Sequence, residues 1–158
     1  FPCRTLFTAI QGGGTWQVEL QNPTVKPPPF SERQRLPLVG APTLRECLVL
    51  FYPGSSGELR LVERLQAQSL VEDLNTFSGF ANHCTRLARG LEQIQFQFSV
   101  GPWDYAAALF MTEVGLRVMV DPLGKRVMFA QWTPQRNNPI LAYPPSVEAD
   151  LLKVLGKL

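Results

Sequence analysis

Residues 93–100, QIQFQFSV, alternate strictly between polar and apolar side chains. Ile94, Phe96, Phe98 and Val100 fall on one side of an extended chain; Gln93, Gln95, Gln97 and Ser99 fall on the other. A period of two is that of a β-strand, and such large apolar groups on one side require a second layer to cover them. The chain is therefore expected to build a sheet with one greasy face and one wet, uncharged face. With 158 residues, 45% of them hydrophobic, it has the apolar material to fill that layer without a metal or disulfide staple.

The N-terminal region repeats the strand signal. TLFTAI at 5–10 and TWQVEL at 15–20 are rich in β-branched and aromatic residues, and Trp16, Val18 and Leu20 alternate with Gln17 and Glu19. Three glycines at 12–14 lie between them. A phosphate-binding glycine loop follows a strand and opens a helix. Here strand-like residues follow instead, so the glycines are expected to turn a hairpin. Residues 22–43 hold six of the fourteen prolines and read as a loop, since proline denies ladder and helix hydrogen bonds.

Further along, RECLVLFY (45–52) suggests a central strand, apolar on both faces, and PGSSG (53–57) a turn. ELRLVERL (58–65) then suggests a returning hairpin strand with Leu59 and Leu61 on one face. A capping box at Ser69 and Glu72 precedes a long apolar stripe: Leu70, Leu74, Phe77, Ala81, Cys84, Ala88 and Leu91. That spacing predicts one helix of about twenty residues, roughly 30 Å long, ended near Gly90, with His83 on its polar face. Residues 105–114 suit a short helix capped by Asp104 and stopped by Gly115, or a further strand. The strand-like GLRVMV that follows favours the strand. A hairpin is expected over 116–132, a loop at TPQRNNP, and a final helix capped by Ser146 with Val147, Leu151, Val154, Leu155 and Leu158 as its stripe. The fold class implied is α+β: a mostly antiparallel sheet of six to seven strands, packed by one long central helix and a C-terminal helix. The chain reads as a single domain, residues 1–158, excised from a longer protein.

Composition narrows the chemistry. The formal net charge is +2, with eleven arginines to four lysines and no long basic run, which gives little phosphate steering. Cys3, Cys47 and Cys84 are odd in number and far apart. They read as reduced thiols of an intracellular, cytoplasmic or nuclear protein, although a single bridge from Cys47 to either other cysteine stays open. No window is apolar enough for a membrane span. His83 is the only imidazole, so a histidine-rich metal site is excluded. The acids Glu92, Asp104, Glu113 and Asp121 sit near turns or strand ends, where acids occur for local reasons.

No catalytic residue, metal ligand or cofactor is therefore expected, and no small-molecule substrate. The charged share of 18%, below the roughly 25% usual for soluble domains, fits either a large core or surface covered by a partner. The function implied is a non-catalytic protein–protein interaction domain, a scaffold within a larger assembly. Nucleic-acid binding through aromatics with arginine and lysine is the alternative. Trp103, Tyr105 and Trp132, near strand ends, and Arg126 and Arg136, near the hairpin, are the candidate interaction residues.

Overall fold

The computed structural model describes residues 5–20, 26–36, 43–51, 56–67, 73–76, 79–101, 104–119 and 138–155. The glycine turn is as expected: β1 (Thr5–Ile10) and β2 (Gly14–Glu19) pair antiparallel, with Thr8 opposite Trp16. Gly12 and Gly14 take φ values of 70° and 107°, the region that disfavours a Cβ. The proline-rich stretch contains a 3₁₀ turn, Phe30–Glu32, and a two-residue strand β3 (Gln34–Arg35) that extends the hairpin to three strands. Phe30 meets Trp16 edge-on at 4.9 Å, and Arg33 stacks over Phe30 while donating to Thr8 Oγ1 at 2.9 Å. This part of the loop thereby folds onto the hairpin's outer face.

The second sheet departs from the expected meander. Its strands are β4 (Leu48–Phe51), β5 (Asp73–Thr76), β6 (Ile94–Val100), β7 (Arg117–Met119) and β8 (Asn138–Tyr143), in the order β5-β4-β6-β8-β7. β4 runs parallel to both β5 and β6, and only the β6–β8 and β7–β8 pairs are antiparallel. The architecture is thus a mixed α+β fold with sheets of three and five strands, in place of one antiparallel sheet of six to seven.

Two misread segments explain the difference. Residues 58–65 belong to α1 (Ser56–Ala67), not to a returning strand. They are dominated by strong helix formers, and Val62 and Leu65, three apart, bury against the sheet. The expected long helix is broken in two. Residues 73–76 form β5, and the helix α2 (Phe80–Ala88) begins only after Gly79, whose φ of 92° and ψ of 115° no helix continues through. The capping residues Ser69 and Glu72 lie outside the described residues. Parallel neighbours need a crossover, and α1 and α2 supply two of them.

Residues 105–113 are α3 (Tyr105–Glu113), with Asp104 at its N-cap position and Gly115 (φ 100°) just past its end. The helical option therefore holds over the strand. β7 finds its described partner in β8, which begins inside the expected loop; residues 120–137 lie outside the described set. The last helix, α4 (Glu148–Leu155), follows a 3₁₀ turn, Pro145–Val147, that contains Ser146, so Ser146 sits within the turn and is not the cap. Val147, Leu151, Val154 and Leu155 are buried as the stripe implies.

Two cores flank the five-stranded sheet. Val49, Phe51, Ile94 and Phe96 face α1 and α4, whereas Leu50, Val100, Ile140 and Ala142 face α2 and α3. β4 is apolar on both faces for this reason. The register shifts between Gln97 and Val100, which explains why Val100 joins the core opposite that of Ile94 and Phe96. Phe7 and Ala9 pack on the far side of α2 and α3, and Phe7 meets Phe110 edge-on at 6.0 Å. The order of layers is α1 and α4, five-stranded sheet, α2 and α3, three-stranded sheet. Among the described residues no helix is long and apolar enough to cross a membrane.

Candidate functional site

The strand order fixes where a site belongs. α1 follows β4 and packs on one face of the sheet; α3 follows β6 and packs on the other. Since β4 and β6 are adjacent and parallel and the helices that follow them pack on opposite faces, their carboxyl ends form a topological switch point. In open α/β sheets such a switch point is where ligands bind. The helices α1, α2 and α3 each start after the carboxyl end of a parallel strand, so the positive ends of their dipoles lie toward that edge of the sheet.

Asp104 lies four residues beyond the end of β6 and immediately before α3. Its backbone N–H donates to the Gly101 carbonyl at 3.0 Å. Partial burial holds its carboxyl above the ordinary 3.8, opposed by a hydrogen bond from the Gly101 backbone. Cys84, on α2, is within electrostatic reach. Burial pushes its thiol well above 9.0, and the Asp104 charge adds to the shift. Perturbed carboxylates of this kind gather at functional sites. Asp104 takes the N-cap position expected of it, but its side chain makes no capping hydrogen bond; what marks it is the strand–turn–helix context at a switch point, which depends on β4 and β6 being parallel.

Beneath Cys84 lies a buried polar group. His83 is fully buried, not solvated on a polar helix face as its position on a twenty-residue helix implied. Gln95, on the side of β6 expected to be wet, is equally buried. Its amide nitrogen approaches His83 Nδ1 at 3.1 Å, and its oxygen faces the Cys84 sulfur at 4.0 Å. Cys47 and Cys84 are both free thiols, so the Cys47–Cys84 bridge does not form. Next to this group a cavity of about 430 Å³ opens between β1, α2 and α3, with Phe7, Ala81, Cys84, Ala107 and Phe110 among its walls.

Of the candidate interaction residues, Tyr105 is the first residue of α3; Trp103, Arg126, Trp132 and Arg136 lie outside the described residues. Among the described residues no three of His, Cys, Asp and Glu converge to hold a metal ion. Asp104 lies just beyond the carboxyl end of β6, and Glu58 falls in the first turn of α1, after β4.

No protein-family model matches the sequence, and no curated protein does. Solved structures match its fold. SuhB of Mycobacterium tuberculosis superposes with a TM-score of 0.70 at 21% identity, covering 98% of this chain and 55% of its own. The inositol monophosphatase of Anabaena superposes at 0.71 with 16% identity, covering 98% and 55%. A structure described as an IMPase/NADP phosphatase complexed with Mg²⁺ and phosphate superposes at 0.65 with 18% identity, covering 95% and 49%. Related structures of that kind carry D-inositol-1-phosphate, or NADP and Ca²⁺. The chain thus has an inositol-monophosphatase-like fold and spans about half the length of the solved chains it matches.

These likenesses overturn the functional expectations. The non-catalytic scaffold domain, and nucleic-acid binding as its alternative, give way to a fold whose solved representatives are described as phosphatases. The expected lack of a small-molecule substrate gives way likewise, because those representatives bind inositol phosphate, phosphate and NADP. Residue spacing along the chain does not reveal the switch point, because the sheet topology creates it.

Proposed function

We propose that the chain forms part of a phosphomonoesterase acting on a small phosphorylated alcohol or nucleotide, with the phosphate group bound at the carboxyl ends of β4 and β6. The observation that carries this reading is the superposition over 98% of the chain on SuhB. The switch point supports it, since helix dipoles directed at that edge favour an anion. Asp104 supports it as a half-buried carboxylate just beyond the carboxyl end of β6. Hydrolysis there breaks the ester P–O bond, with water supplying the new oxygen on phosphorus and the departing alcohol taking a proton.

The test is release of inorganic phosphate from D-inositol-1-phosphate and from NADP, in the presence of Mg²⁺, by the protein and its Asp104→Asn variant. Release by the parent, falling by about a hundredfold or more in the variant, is expected for a charged group at the reacting phosphate. A folded protein that releases phosphate from neither ester would overturn the reading.

A further inference from the structure

We infer that the outer edge of β1, with the cavity beside it, is a docking site for an extended polypeptide segment from outside residues 1–158, which adds a strand to the three-stranded sheet.

The edges of the two sheets differ. The described strands at the other three edges are short, and each carries a charged residue: β3 is Gln34–Arg35, β5 is Asp73–Thr76 and β7 is Arg117–Met119. Short, charged edges discourage pairing with another chain. β1 has neither protection. It is six residues long, TLFTAI, with no charge and no proline, and its register with β2 runs unbroken from Thr5 to Ile10. Among the described residues its strand partner is β2 alone. Such an edge presents a row of backbone N–H and C=O groups on the side away from its sheet.

The cavity of about 430 Å³ lies along that edge. Phe7 and Ala9 of β1, Ala81 and Cys84 of α2, and Ala107 and Phe110 of α3 are among its walls, and no described residue of β2 lines it. A strand laid beside β1 would cover α2 and α3 and turn every second side chain into this space. The walls favour apolar residues at those inward positions. From Ala106 to Glu113 the α3 wall rises about 10 Å, the reach of about three residues of extended chain.

The same geometry chooses the occupant. A small apolar molecule would fill the cavity and leave the β1 backbone unanswered, whereas a strand satisfies both. A second copy joined antiparallel through β1 would bring its own α2–α3 layer to the same side of the joined sheet. The cavity walls show that layer reaching past β1, so the two layers would collide. A single extended segment fits beneath it. The SuhB chain continues well beyond the 55% that this chain covers, so the fold has further polypeptide to supply such a strand.

The measurement is an NMR titration of the protein with a soluble peptide of about eight residues, alternating valine and threonine with lysine at each end, and with the same peptide carrying a central proline. The first peptide should slow amide exchange in β1. The second should bind about tenfold or more weakly, because proline removes ladder hydrogen bonds. Ala107→Trp, which fills the cavity, should weaken the first peptide by about tenfold or more while cross-strand β1–β2 contacts persist. Should that variant unfold, Ala81→Phe, at an exposed position of α2, makes the same test. Equal binding of the two peptides, no binding at about 1 mM, protection on another edge, or binding indifferent to cavity filling would each overturn the inference. A dimer whose protected amides are those of β1 would overturn it in favour of a second copy.

Discussion

The Gln95 amide nitrogen sits 3.1 Å from Nδ1 of His83, and both side chains are fully buried between β6 and α2. With the amide as donor, Nδ1 accepts and the ring proton resides on Nε2. The strand thereby grips the helix through a polar contact inside an otherwise apolar layer. Replacing Gln95 by Leu leaves His83 without that donor in a place water does not reach. A loss of about 1–3 kcal/mol in urea unfolding is expected. Pairing Gln95→Leu with His83→Leu should recover part of it, since removing both partners is cheaper than orphaning one.

Arg86 and Glu92 form a two-pronged ion pair across the α2–β6 connection, with the Glu92 side chain only 1% exposed. Arg86→Ala strands that carboxylate in the interior. A loss of about 3–5 kcal/mol is expected, as for other broken buried pairs. Lys153→Ala, which breaks the exposed Lys153–Asp150 pair, should cost less than about 1 kcal/mol. The two variants compared by chemical denaturation check the contrast.

Asp104 holds its proton to higher pH in the folded chain than in the unfolded one, because partial burial raises it above 3.8. The folded state therefore binds more protons across that window, and stability falls as pH climbs through it. Asp104→Asn removes the penalty. Its melting temperature should exceed that of the parent at pH 7, and the gap should close below pH 3.8, where both folded and unfolded Asp104 are neutral. A variant that gains stability at neutral pH while losing phosphate release would mark a residue kept for function at a cost in stability.

Burial, and secondarily the charge of Glu46, push the Cys47 thiol up to about 12. Cys84 is raised as well, by burial and then by Asp104. Thiolate is the reactive form, so neither cysteine should react with a disulfide reagent at pH 8 until the chain is unfolded. Above pH 9 the unfolded Cys47 ionises while the folded one keeps its proton. Stability should therefore decline between pH 9 and about 12. Cys47→Ala should flatten that decline, measured by alkaline unfolding.

Local signals in the chain suffice where they act alone. The Gly12–Gly14 turn, the buried stripe of α4 and Leu48–Phe51 of the strand expected over 45–52 follow from spacing and backbone chemistry, although that strand's first residues belong to a 3₁₀ turn, Leu44–Glu46. Legibility ended where two strands had to be parallel. Leu59 and Leu61 alternate as a strand does, but they lie in a run of Glu, Arg and Gln that favours a helix, and only the need for a crossover separates the two. Leu74 continues a helical stripe on paper. Gly79, with a backbone no other residue adopts cheaply, ends that continuity, and β5 takes the residues before it. Gln95 was read as wet because nothing in an alternating pattern tells which polar residue will find a buried partner. The N-cap position of Asp104 is visible in the sequence, whereas the switch point beside it depends on β4 and β6 lying side by side, a relation between segments more than forty residues apart.

The α2–α3 layer serves two sheets, and the Gly12 amide is tied to the Glu113 carboxylate across 101 positions of chain. Phe7 cannot find Phe110 until synthesis has passed that point. During translation the β1–β2 hairpin therefore cannot make these contacts until α3 has emerged. The docking of that hairpin should accordingly follow the arrival of α3, which joins the two sheets.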